Sequence, residues 1–207
     1  MVLHSRSVGL IVLFAGVLLA HPHAAAKLAV GIVPFDVATV NGATVSSGQA
    51  MAKLLRIEMV KSAKLQPTLL PVTHSNQEAA TAGATANSDI VVVGTVLSAD
   101  TSESDRSANS GGLFGGALGA GGRIRRTTTT VELHIELVSP KTGEIVDTFE
   151  VEAKNSGTSV GADFSTALGG IDNEGSGFDQ STVGKALREA AQKVAAEVAK
   201  RSDKLAK

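Results

Sequence analysis

The chain has 207 residues, sets 19 Lys and Arg against 20 Asp and Glu, and contains no Cys, Trp or Tyr. Near-neutral charge and the missing aromatic platform exclude a nucleic-acid-binding surface. A chain without cysteine is held together by packing alone.

Residues 1–7 carry Arg6, Val8 to Ala20 form an apolar stretch of 13 residues, and HPHAAA follows. A cationic start, an apolar run short of the about 20 residues a spanning helix needs, and small residues at its exit are the pattern of a secretory signal peptide, cleaved after Ala26. The expected organisation is residues 1–26 as signal peptide and 27–207 as one periplasmic α/β domain, since 181 residues suffice for a single core. Lys27 stands where a bacterial lipoprotein needs its lipid-bearing cysteine, so export without a lipid anchor is expected.

KLAVGIVPFD, residues 27–36, is apolar nearly throughout and reads as a strand covered on both faces. Ser46 and Ser47 are N-cap candidates for a helix over 47–64, where Met51, Leu54, Leu55, Met59 and Ala63, or Ala50, Leu54 and Ile57, recur at helical spacing. Residues 65–72 form an edge or broken strand, marked by Pro67 and Pro71. Residues 76–86 suggest a short, weak helix, and Ile90 to Leu97 a buried strand without alternation.

After Asp100 the composition changes to TSESDRSANS, then GGLFGGALGAGG at 111–122, then GRIRR, and all of this reads as a long connection. TTTTVELHIELVSP alternates, with Val131, Leu133, Ile135 and Leu137 on one face and Glu132, His134 and Glu136 on the other. KTGE is a tight turn with Gly143 supplying a positive φ. The returning strand puts Ile145, Phe149 and Val151 on the dry side and Thr148, Glu150 and Glu152 on the wet side. Residues 155–180 make a second Gly-rich connection, and Ser181 caps a closing amphipathic helix with Val183, Leu187, Ala190, Ala191, Val194 and Val198 along one face. The expected fold is α/β: a single domain, a mixed sheet of about five strands with packed helices, and two long Gly-rich connections around a β-hairpin.

Leu113, Phe114 and Leu118 in the first connection, with Phe164 and Leu168 in the second, are candidates for membrane or partner contact. The competing readings are a plain surface loop and a phosphate-binding loop, the latter without the GxxxxGK[ST] order or a following helix. Glu132, His134, Glu136 and Glu150 form a candidate association face, against the simpler reading of a solvated Glu-His-Glu row. His74 and His134 stand in no zinc spacing, and no nucleophile elbow is present, so neither a catalytic residue, a metal, a cofactor nor a small-molecule substrate is expected. Asp172, Glu174 and Asp179 lack the EF-hand order and read as loop solubilisers.

In order along the chain, KLAVGIVPFD, AMAKLLRIEMVKSAKL, SDIVVVGTV, VELHIELVSPKTGEIVDTFE and FDQSTVGKALREAAQKVAAEVA resemble the curli production assembly/transport family, the CsgG type. The resemblance covers about residues 27–100 and 127–200. It implies a periplasmic α/β domain at the outer membrane that acts through protein partners, forms a homo-oligomer, and in some members builds a ring-shaped secretion channel. In those members the connections flanking the hairpin enter the membrane, and the channel formers are lipoproteins, which this cysteine-free chain does not match. GGLFGGALGAGG also lacks the clean alternation of a spanning strand. A soluble periplasmic adaptor or activator of a cell-wall enzyme is the alternative.

Overall fold

A computed structural model of the chain describes residues 27–37, 45–107, 123–157, 178 and 180–205. Strands β1 (Leu28–Ile32), β2 (Leu65–Leu69), β3 (Ile90–Ser107), β4 (Arg123–Val138) and β5 (Ile145–Gly157) alternate with helices α1 (Val45–Val60), α2 (Asn76–Thr85) and α3 (Thr182–Leu205). They form one mixed sheet in the order β2-β1-β3-β4-β5, parallel across β2, β1 and β3 and antiparallel from β3 to β5. The expected α/β fold with a five-stranded mixed sheet is what the structure has.

The topology decides which face each helix covers. From β1 the chain steps outward to β2 through α1, then back past β1 to β3 through α2, and right-handed crossovers in opposite directions put the two helices on opposite faces. One core follows from α1 and α3 packing on Ile32, Val92, Leu133, Ile135 and Leu137 through Met51, Leu54, Leu55, Leu187 and Val194. On the other face, Ala79 and Ala80 of α2 cover Val33, Val91 and Val138. This two-sided cover is why the 90–96 run shows no alternation. The outer face beyond α2 has no helix on it among the described residues.

The motifs of the sequence lock these elements together. After β1, Asp36 bridges to Thr95, and its N–H and C=O bond Gly94 and Val96 at 2.8 Å each. The turn lays Phe35 across Gly94, where a Cβ would fall 2.3 Å from the ring. At the start of α3, the Ser181 hydroxyl accepts from the Gly184 N–H at 2.9 Å and donates to the Phe178 carbonyl at 3.0 Å. Phe178 is buried, and a Cβ on Gly184 would sit 1.9 Å from its carbonyl oxygen. Gly143 has φ +75°, as its turn requires.

Several boundaries differ from expectation. β1 ends at Ile32, because residues 33–36 leave the ladder to place Phe35. α1 begins at Val45, so Ser46 and Ser47 lie inside its first turn rather than ahead of it. It ends at Val60, leaving Ala63 exposed beyond it, and Ile57 is 46% exposed. α2 is better fixed than a weak helix. Ser75 caps it by accepting from the Glu78 N–H, Glu78 accepts in turn from the His74 N–H, and Asn87 at φ 53° ends it in the left-handed region.

The largest difference concerns the connections. Residues 101–107 and 123–126, read as loop, are paired strand, and β5 continues through 155–157. The pairing crosses a β-bulge at Leu97, where Val96 faces Leu133 and Ser98 faces Glu132. The extra residue reverses parity, so Ala99 and Thr101 take over the inward positions and Leu97 is left 40% exposed.

Candidate association surface

The outer face of the sheet is built by the even positions of β4 and β5. Its register sets His134 between Thr95 and Glu150, Glu132 opposite Glu152, and Glu136 opposite Thr148. The expected association face is therefore contiguous. His134 Nε2 lies 3.7 Å from Glu136 Oε1, and its Nδ1 lies 3.6 Å from Glu150 Oε1. Both are charge contacts when the imidazole is protonated, too long for hydrogen bonds. Glu136 Oε2 also accepts from Asn76 Nδ2 of α2 at 3.0 Å, which pins one end of the acidic row to the helix beside it. The helix contact was not readable from the strand pattern, because Asn76 lies 60 residues away.

Among the described residues no group of three or more His, Asp or Glu side chains is placed to hold a metal ion. Grooves of about 350, 410 and 510 Å³ run along α3 against α1 or β5, and Glu150 and Glu152 line the second of them. Opposed like charges such as Glu132 and Glu152 weaken a strand pair. A solvated acidic surface tolerates them, and a cationic partner would relieve them.

β3 and β4 project beyond β5 as a hydrophilic arm. At about 3.3 Å per residue, the 18 residues of β3 run close to 60 Å. Its root is anchored by hydroxyls. Thr129 is buried, donates to Thr182 Oγ1 at the start of α3, and meets Thr101 Oγ1, both at 3.2 Å, while Thr128 meets Ser156 at 3.0 Å. Farther out the sequences SESDRS and RIRR face each other, with Ser104 opposite Arg126 and Asp105 opposite Arg125. A lipid-facing strand alternates apolar residues over about 9 to 11 positions, and these strands do not. No helix of the described residues is long and apolar enough to cross a membrane, which says nothing of strands.

Ala26, Leu113, Phe114, Leu118, Phe164 and Leu168, with Asp172, Glu174 and Asp179, lie outside the described residues.

At the far side of β5 a clamp that the sequence reading missed ties α3 to the sheet edge. Arg201 Nε donates to Asp147 Oδ2 at 2.7 Å, its Nη1 donates to the Glu197 carbonyl and carboxylate, and its guanidinium lies 4.4 Å from the centroid of Phe149. Burial works against its charge, but the hydrogen bonds to Glu197 and Asp147 outweigh it and raise the pKa above the usual arginine value. Lys193 covers the same edge by donating to the Glu152 carbonyl at 2.8 Å.

The sequence pattern of the curli production assembly/transport component CsgG matches residues 54–206. The chain belongs to the CsgG family. No protein of curated function matches it. Among solved structures, a hypothetical protein from Chlamydia trachomatis superposes with a TM-score of 0.57 at 11% identity, covering 86% of this chain and 98% of that one. A PelC dodecamer from Paraburkholderia phytofirmans gives 0.45 at 12% identity, covering 81% and 84%. The first likeness shows a shared fold. The motifs that carried the sequence resemblance are the interlocks described above: Gly94 with Phe35, which precedes the matched residues, the Gly143 turn, and Phe178 with Ser181 and Gly184.

Proposed function

We propose that the chain is an exported, non-enzymatic component of a curli-type assembly or secretion apparatus, working by self-association at the outer membrane. The supporting observation is the family match over 54–206 on a fold whose outer sheet face is acidic and uncovered beyond α2. In this reading residues 1–26 are removed after Ala26, the mature domain is periplasmic, and Glu132, His134, Glu136 and Glu150 face protein partners. Leu113, Phe114, Leu118, Phe164 and Leu168 would then meet the membrane or a neighbouring subunit, and a ring-shaped channel is the fullest form of the proposal.

A soluble envelope adaptor is the second reading, and the polarity of the β3–β4 arm favours it. Light scattering on the processed chain, isolated from its envelope with and without detergent, separates the two. A multi-subunit assembly that needs detergent supports the channel. A small assembly indifferent to detergent supports the adaptor, and a monomer under both conditions overturns self-association.

A further inference from the structure

A sheet ends at edge strands, whose outward backbone N–H and C=O groups have no strand beside them. On β2, the Leu28 N–H donates to the Lys64 carbonyl and the Leu70 N–H to the Ile32 carbonyl, both at 2.8 Å. Alternation therefore turns Leu65, Pro67 and Leu69 outward, and Pro67 has no N–H to offer there. On β5 the outward groups are met from within the chain. Asp147 Oδ1 accepts from the Thr148 N–H, and Lys193 donates to the Glu152 carbonyl, both at 2.8 Å.

A third edge stays open. β1 and the Asp36 bridge pair β3 only as far as Val96, and among the described residues no strand lies on that side of the arm beyond it. Before the Leu97 bulge, the backbone of Val92, Gly94 and Val96 faces that side. The bulge reverses parity, so after it Ala99, Thr101, Glu103 and Asp105 face it.

This edge is complementary to itself. A two-fold axis perpendicular to the sheet lays a second β3 antiparallel to the first and keeps inward side chains inward. With Ser102 on the axis, Ala99 meets the partner's Asp105 and Thr101 the partner's Glu103, which makes about eight backbone hydrogen bonds. Moving the axis to Glu103 sets that carboxylate against its own copy, and moving it to Ser104 sets Glu103 against the partner's Asp105. Moving it to Thr101 drives the strand ends into the Asp36 bridge. The register about Ser102 has neither fault. The arms do not repel as wholes either, since residues 98–107 and 123–126 together carry three carboxylates and four arginines.

Resting on the self-association proposed above, we propose that the open β3 edge joins two copies of this chain about Ser102 into one continuous sheet. The two acidic faces then lie side by side on its outer surface, open to other partners. Backbone bonds are not screened as surface charges are, so the pair outlasts salt that loosens charged contacts.

The chain has no cysteine, so a single introduced thiol reads the register. In the processed chain, Ser102→Cys sets two thiols at a pair with Cα atoms about 4.5 Å apart, within disulfide reach, whereas Ser104→Cys leaves them roughly 14 Å apart. In a glutathione redox buffer, Ser102→Cys should run as a two-chain band on a non-reducing gel and Ser104→Cys as a single chain. Glu103→Pro removes an N–H that faces the open edge, so it should keep the wild-type circular dichroism spectrum yet scatter light at half the wild-type mass. Should it not fold, the two cysteine variants decide alone. A missing Ser102→Cys band, equal bands for both variants, or a folded Glu103→Pro at full mass overturns the pairing while leaving self-association standing. A wild type that is monomeric at every concentration overturns both.

Discussion

Replacing Gly184 by alanine tests how the last helix is attached. In an ordinary helix interior the change gains about 1 kcal/mol, because glycine has the larger conformational entropy to lose. Here the added Cβ would lie 1.9 Å from the Phe178 carbonyl oxygen and 2.8 Å from its carbon. An unstrained carbon–oxygen approach is about 3.3 Å, so the carbonyl must retreat by more than 1 Å. That carbonyl accepts from the Ser181 N–H at 3.3 Å and from the Ser181 hydroxyl at 3.0 Å, and neither bond survives the retreat. Two hydrogen bonds contribute about 1 to 3 kcal/mol, and releasing buried Phe178 removes about 1.5 to 3 more. Against a gain of about 1, the net effect is a loss of about 1.5 to 5 kcal/mol. Urea unfolding followed by far-ultraviolet circular dichroism should show a lower midpoint with an unchanged slope. A Gly184→Ala protein as stable as the wild type, or more so, would refute the close packing of Phe178 on this glycine.

Three further outcomes follow from the same packing. Ser181→Ala removes the cap but leaves the Phe178 contact room, so the loss should be nearer 1 kcal/mol in the same urea assay. Gly94→Ala sets a Cβ 2.3 to 2.5 Å from the Phe35 ring and should cost about 1 to 3 kcal/mol, with faster hydrogen exchange at the Asp36 and Val96 amides that bridge the two segments. Arg201→Met leaves Asp147 and Glu197 without their shared partner, and the amides of the last turn of α3 should exchange faster than those around Leu187, which is fully buried.

How much of this was legible in the sequence depended on how local the cause was. The β4 alternation, the Gly143 turn and the Ser181 cap act within a few residues, and each stands where the pattern put it. The arm did not announce itself, because SESDRS has turn-like composition and becomes strand only by pairing with RIRR more than 15 residues away. The Leu97 bulge was equally hidden, since an apolar residue closing an apolar run gives no sign that the ladder skips it. The acidic row was readable as a face, but its tie to Asn76 and the Arg201 clamp join positions distant in the chain. Ile57 misled for a different reason. Its spacing matched Ala50 and Leu54, yet it falls just outside the buried arc, beside Arg56 and Val60.

The residues that carried the family resemblance, Gly94, Gly143, Phe178, Ser181 and Gly184, hold helices and turns to the sheet. Under the proposed function, partner contact falls to the outer sheet face, where the register brings Glu132, His134, Glu136 and Glu150 together. An interface of this kind should weaken with salt, because the charges at its rim are solvated and screened within about 8 Å at physiological ionic strength. Assemblies of the processed chain should then lose mass as salt is raised from low to molar concentration, and an assembly whose mass does not respond is held together by some other surface.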